Sequence, residues 1–81
     1  MADEEIRATI ERLVAEEHRL HERGEEEGGL SEDEAAYLHS VEIQLDRYWD
    51  LLRQRRARRE AGRDPGEASL RDSETVEEYE Q

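Results

Sequence analysis

The order of apolar and polar residues predicts two amphipathic helices joined by a short turn. In each half of the chain, large apolar residues recur every three or four positions, which is the spacing of one helix face. The first stripe consists of Ile6, Ile10, Leu13, Val14 and Leu20. The second consists of Leu38, Val41, Leu45, Tyr48, Trp49 and Leu52. We therefore predict one helix over about residues 3–23, a loop over 24–30 and a second helix over about 31–61.

Capping signals place the ends of these helices. Gly24 is expected to end the first helix. Ser31 and Glu34 have the spacing of a capping box, in which each residue bonds the backbone N–H of the other. Gly62, with Pro65 close behind, is expected to stop the second helix.

A short loop makes consecutive helices antiparallel. With the turn near residues 27–28, residue i should lie opposite about 55 − i, so that Ile6 faces Trp49. The second helix should then extend beyond the first by on the order of 13 Å. The predicted fold is all-α: an antiparallel two-helix hairpin over residues 3–62. An acidic, partly ordered tail over residues 63–81 follows, and Asp64 opens a short helical turn in it.

An isolated hairpin of this composition buries too little apolar surface to offset the entropy of ordering its helices. Pairing of two hairpins into a four-helix bundle would supply the missing contacts, so we expect a homodimer. Ile43 strengthens this expectation because it lies on the opposite side of the second helix from Leu38 and Leu45. It is either an ordinary exposed aliphatic or a contact for a second chain or the tail. The predicted interface residues are Ile6, Ile10, Leu13, Leu38, Val41, Ile43, Leu45, Trp49 and Leu52.

Length and composition limit the possible functions. The 81 residues allow one domain; 44% of them are charged and the net charge is −12. There is no cysteine for a disulfide or a thiolate metal site. No apolar run is long enough for a membrane span, and the acidic first residues are unlike a signal peptide. We expect a cytoplasmic protein without a membrane contact or a cofactor.

Glu17 occupies the centre of the first stripe, where an aliphatic residue would be expected. His21 lies one helical turn further on, and the predicted register brings His39 close to both. This cluster is either a polar contact that fixes the register of the helices or a metal site at a dimer seam. The Glu-x-x-His spacing of di-metal bundles is absent here, so we favour the structural role and predict no metal.

A basic cluster closes the second helix. Its members are Arg53, Arg55, Arg56, Arg58 and Arg59. A basic helix can follow phosphates, or it can bind an acidic protein. The negative net charge repels polyanions, however, and no aromatic residues alternate with these arginines to stack on bases. Acidic residues at the start of the chain and in the tail offer internal partners, so we regard nucleic-acid binding as unlikely.

The sequence contains no motif for nucleophilic catalysis and no phosphate-binding glycine loop. We therefore expect a non-enzymatic, homodimeric protein-interaction module. A nucleic-acid-associated accessory protein is the alternative, and a metal-binding bundle at Glu17 and His21 ranks third.

Several motifs along the chain resemble those of a small, mainly actinobacterial family, domain of unknown function 2630 (DUF2630). They are Glu16-Glu17-His18 with Leu20, Leu30-Ser31-x-Asp33-Glu34, the run from Leu45 to Ala57, Ala61-Gly62-x-Asp64-Pro65, and Val76-Glu77-x-Tyr79-x-Gln81. The segment Trp49–Ala57 is the most specific of them. The resemblance implies a stand-alone bacterial protein with no established activity. It also places Glu17, His18, Asp46, Trp49, Asp50 and the arginine run within the family pattern.

Overall fold

The computed structural model describes residues 2–71 and confirms an all-helical fold in which two helices pack together. Helix α1 spans Asp3–Glu25, helix α2 spans Glu32–Glu60, and a 3-10 turn spans Pro65–Glu67. The two long helices are antiparallel, because ion pairs join the start of α1 to the end of α2 and the end of α1 to the start of α2. No helix within these described residues is long and apolar enough to cross a membrane.

The start of α2 has the predicted capping box. The backbone N–H of Ser31 donates to a carboxylate oxygen of Glu34 at 2.9 Å, and the N–H of Glu34 donates to the Ser31 hydroxyl at 3.1 Å. The first of these bonds is the main reason why the pKa of Glu34 lies below its ordinary value. Two of the backbone N–H groups that every helix leaves unpaired at its start are thereby satisfied.

The end of α2 is also where the glycine signal predicts it. Gly62 has a φ of 72°, and its N–H donates to the carbonyl of Arg59 at 3.1 Å. The N–H of Arg63 reaches back to the carbonyl of Arg58 at 2.7 Å. This pair of bonds is a Schellman motif, which requires a left-handed residue that glycine adopts without steric cost.

The expectation that Gly24 ends α1 is wrong, because α1 continues through it to Glu25. The absence of a side chain at Gly24 instead leaves room for Leu30, whose Cγ would lie 3.4 Å from a Cβ at that position. The turn itself is made by Gly28 and Gly29, which have φ values of 90° and 63°.

This later turn shifts the pairing of the helices. Arg23 pairs with Glu34 and Asp3 with Arg55, so the partners lie two and three positions further along α2 than predicted. The expected overhang of α2 is also wrong, since Asp3 at the start of α1 reaches Arg59, one residue before α2 ends.

The hydrophobic core lies along the seam between the helices. Its buried members are Ile6, Ile10, Leu20, Val41, Leu45, Leu51 and Leu52. Leu51, on the flank of α2, is part of the core because residues 63–71, here called the C-terminal segment, run back along that flank. Ala68 and Leu70 of this segment pack against the core. The predicted tail continues over residues 72–81, which lie outside the described residues.

Trp49 is not the buried partner of Ile6 that the predicted register implies. It remains 45% exposed, while Ile6 is fully buried. Leu45 and Leu52 occupy the seam, and Trp49 lies at the edge of the same stripe, where it borders a groove beside Ile10 and Val14. Ile43 is half-buried, as are Leu13 and Leu38, the latter two packed against the core.

Candidate functional site

One side of the hairpin carries an open apolar groove between α1 and α2. It is lined by Ile10, Val14 and Ala15 from α1, with Glu11 and His18 at its outer edge, and by Trp49 from α2. Val14 and Trp49 are each 45% exposed, which is high for large apolar side chains. We call this surface the Trp49 side.

The Trp49 side is basic where α1 begins and α2 ends. A second groove there is lined by Asp3, Arg7, Trp49, Leu52, Arg53, Arg56 and Arg59. Asp3 is the acidic residue among four arginines, and it forms ion pairs with Arg59 and with Arg55. Arg55 and Arg59 hold the pKa of Asp3 below its ordinary value of 3.8, mainly through the hydrogen bond that Arg55 donates.

Toward the turn, the same side becomes acidic. Glu17 and His21 of α1 lie next to Glu42 of α2, with one potential ligand atom from each within 4.8 Å of the others. Glu17 is half-buried, whereas His21 and Glu42 are exposed. The residue that joins Glu17 and His21 is therefore Glu42 and not His39, which is exposed and outside this group. The reason is the position of His39 around α2, since it lies on the side of the helix away from the seam residues Val41 and Leu45.

Every arginine of the predicted basic cluster lies near a carboxylate of the same chain. Arg55 and Arg59 contact Asp3, and Arg55 also donates to the carbonyl of Pro65 at 3.1 Å. The remaining pairs are Arg53–Asp50 at 3.9 Å, Arg56–Glu60 at 3.1 Å and Arg58–Glu67 at 3.2 Å. The C-terminal segment and the start of α1 thus neutralise much of this helix end.

Asp50 is the buried charged residue of the described chain, with 2% of its surface exposed. One carboxylate oxygen accepts from the side-chain amide of Gln54 at 3.0 Å and lies 3.2 Å from Nε of Arg71. Gln54 donates in turn to the carbonyl of Ser69 at 2.7 Å. Arg47 donates to the carbonyl of Arg71 at 2.8 Å. This network attaches the C-terminal segment to α2.

Three of these features did not follow from the sequence. Asp50 and Glu42 were not singled out from the residues themselves, and Val14 was assigned to the hairpin stripe. A charged residue inside the run Trp49–Leu52 is the signal that points to Asp50, because a carboxylate flanked by core residues needs partners. No comparable signal marks Glu42 or Val14, whose roles depend on the register of the helices.

Comparisons with known proteins agree on the relationship of the chain but supply no activity. The family model described as "Protein of unknown function (DUF2630)" matches residues 2–81. Uncharacterized proteins of Mycobacterium tuberculosis (strain H37Rv) and Mycobacterium bovis are 50% identical over 78 residues. The aligned region covers 95% of this chain and 88% of each relative. No solved structure matches the chain.

Proposed function

The chain belongs to the DUF2630 family, and we propose that it is a non-enzymatic homodimeric protein-interaction module whose first partner is a second copy of itself. The observation that carries this proposal is the exposure of Trp49 and Val14 on one side of the hairpin. Both side chains border Ile10, which belongs to the buried core, so the exposed apolar surface is continuous with the core.

A second hairpin laid on the Trp49 side would complete a four-helix bundle. The described chain has α1 against α2 and the C-terminal segment against α2, but no element over the groove between Val14 and Trp49. Contiguous exposed apolar surface of this kind marks association sites. Tryptophan is also among the residues that contribute most to binding when they become fully desolvated. Burial of the Trp49 side would supply apolar contacts that a single hairpin lacks.

Sedimentation equilibrium of the wild-type chain and two aromatic variants tests this proposal. We expect a dimer at micromolar concentration, and we expect Trp49→Ala to weaken dimerisation by at least about 30-fold, the effect of losing one strongly contributing interface residue. Tyr37→Ala is the matched control, because Tyr37 is 48% exposed but lines a groove on the opposite side with Thr9 and Leu13. A wild-type chain that is fully helical yet monomeric up to about 100 micromolar would contradict the proposal.

Divalent-metal binding is the second candidate function, and the cluster of Glu17, His21 and Glu42 is the observation that favours it. One imidazole and two carboxylates form a donor set that suits zinc, nickel or iron. Calorimetric titration with Zn²⁺ of tag-free protein tests this candidate. We expect His21→Ala to abolish zinc binding. His39→Ala removes an exposed imidazole outside the cluster, so this control variant should retain binding. Equal zinc binding by both variants would show that the metal binds outside the cluster of Glu17, His21 and Glu42.

Nucleic-acid binding by the arginine cluster remains the other alternative. Phosphates would have to compete there with the carboxylates of Asp3, Glu60 and Glu67. The net charge of −12 opposes the same binding at longer range. We therefore place this alternative behind self-association, and salt-dependent retention on DNA or RNA would be the result that favours it.

A further inference from the structure

We propose that the second copy docks on the Trp49 side in the antiparallel direction, so that the acidic end of each copy faces the basic end of the other. This inference rests on the proposed homodimer and specifies its geometry. It follows from the positions of charged residues on either side of the apolar groove.

On α2 the charges are arranged symmetrically about Trp49. Glu42 precedes Trp49 by seven residues and Arg56 follows it by seven. Seven residues are two helical turns, so all three lie on one face and each charge is about 10.5 Å from Trp49 along the axis. Both charged side chains are exposed, that of Arg56 to 79%. Arg53 adds a second positive charge one turn beyond Trp49.

On α1 the same symmetry recurs about a point between Ile10 and Val14. Arg7 precedes Ile10 by three residues, and Glu17 follows Val14 by three. Since Ile10, Val14 and Trp49 line one groove, the centres of symmetry on the two helices lie side by side. Both helices thus have an apolar centre, a basic end toward the start of α1 and an acidic end toward the turn.

A two-fold axis that lies in the plane between the two copies, level with this common centre and perpendicular to the helices, exchanges the two ends. It places Glu42 of one copy opposite Arg56 of the other, and Glu17 opposite Arg7, with Trp49 at the centre of the seam. A two-fold axis parallel to the helices would instead bring the two acidic ends together and the two basic ends together, so that Glu42 lies near Glu17 and Glu42 of the other copy, and Arg56 near its Arg7 and Arg56. Like charges facing each other disfavour that arrangement, so the charge pattern selects the antiparallel one.

The present ion pair of Arg56 does not prevent this contact. Arg56 pairs with Glu60 within α2 at 3.1 Å, and both side chains are largely exposed. Exposed pairs of this kind contribute little to stability, so the guanidinium is able to turn toward a carboxylate of a second copy.

Site-specific crosslinking distinguishes the two directions, and the chain suits it because it has no cysteine. Glu42→Cys and Arg56→Cys are prepared separately, mixed, allowed to exchange and treated with a short bismaleimide. In the antiparallel dimer we expect a crosslinked heterodimer in the mixture and almost no crosslinking of either variant alone. Ser40→Cys, exposed on the flank of α2 away from the groove, is the control for random collisions.

Each other outcome overturns a specific statement. Self-crosslinking of Glu42→Cys alone and of Arg56→Cys alone overturns the antiparallel direction while leaving the dimer intact. A wild-type dimer whose variants crosslink no more than Ser40→Cys overturns the Trp49 side as the contact. A wild-type monomer in sedimentation overturns the homodimer itself, so failure of the proposed function and failure of this geometry are distinguishable.

Charge reversal provides a second, independent measurement. Glu42→Arg alone and Arg56→Glu alone each create two like-charged contacts per antiparallel dimer, and we expect each to weaken dimerisation by about 5- to 30-fold. The double variant restores opposite charges across the seam and should return to within about 3-fold of the wild type. A double variant as weak as the sum of the two single changes would overturn the antiparallel contact. Circular dichroism confirms that each variant remains helical.

Discussion

At the scale of single residues, Asp50 has the clearest structural consequence. Its buried carboxylate accepts the hydrogen bond of Gln54 and pairs with Arg71, so it joins α2 to the C-terminal segment. We expect Asp50→Ala to lower the free energy of unfolding by about 2 kcal/mol, the net effect of losing two such contacts. Urea denaturation at fixed protein concentration measures this change.

Glu27→Ala, at an exposed position in the turn, is the control for loss of a carboxylate. It should remain within about 0.5 kcal/mol of the wild type. If Asp50→Ala were as stable as Glu27→Ala, the network around Asp50 would not hold the C-terminal segment.

Residues with purely local roles could be predicted from the sequence, and residues with long-range roles could not. Ser31 and Glu34 form their capping box within one helical turn, so the spacing alone identified it. Asp50 depends on Arg71, which is 21 positions away in the chain, and Glu42 depends on the register of two helices. No pattern within α2 specifies either partner.

At the scale of helices, two glycines of the hairpin should respond to alanine in opposite ways. Gly24 is helical, and a Cβ there would meet Leu30 at ordinary contact distance. Gly24→Ala should therefore stabilise the fold by about 0.5–1 kcal/mol, because alanine is the better helix former. Gly62 has a positive φ, so Gly62→Ala should destabilise it by about 1 kcal/mol, although space for the side chain is open.

Thermal unfolding of the two alanine variants at equal concentration checks the signs. Both substitutions restrict the unfolded chain to the same extent, so a difference between them reports the folded conformation. Destabilisation by Gly24→Ala would show that Leu30 cannot accommodate the added methyl group.

The contact between Asp3 and α2 should make the pairing of the helix ends depend on pH. The pKa of Asp3 is lowered in the folded chain, so the folded state binds fewer protons there than the unfolded state does. The stability contributed by Asp3 is therefore present above its ordinary pKa and is lost as the pH falls through the folded value. Asp3→Asn removes this contribution, and the variant should lose less thermal stability than the wild type between about pH 6 and about pH 3.

Glu4→Gln is the matched control for this experiment, since Glu4 is the exposed neighbour of Asp3 and forms no ion pair in the described chain. The other carboxylates with lowered pKa, Glu16 and Glu34, are present in all three proteins and so cancel from the comparison. An unchanged pH dependence in Asp3→Asn would show that the arginine contacts do not persist in solution.

For the whole molecule, hydrophobic periodicity was sufficient to predict two packed helices but not the surface they leave exposed. A stripe of three- and four-residue spacing identifies the buried face of a helix, but it leaves the position of one helix along the other uncertain by about one turn. The turn at Gly28 and Gly29, rather than at Gly24, moved the register by two to three positions. Nor does the stripe show which of its members face the other helix: Leu45 and Leu52 do, whereas Trp49 lies at the edge and lines the groove that forms the candidate interface.

Trp49 also provides a direct measurement of self-association, because it is the sole tryptophan of the chain. In a single hairpin Trp49 is 45% exposed, whereas in the proposed dimer it lies at the centre of the seam. Its emission maximum should therefore move to shorter wavelength as the concentration rises from about 0.01 to about 100 micromolar. The same midpoint should appear in sedimentation, since both signals report one equilibrium. An emission maximum that stays constant while the sedimenting mass doubles would place the dimer contact on a surface other than the Trp49 side.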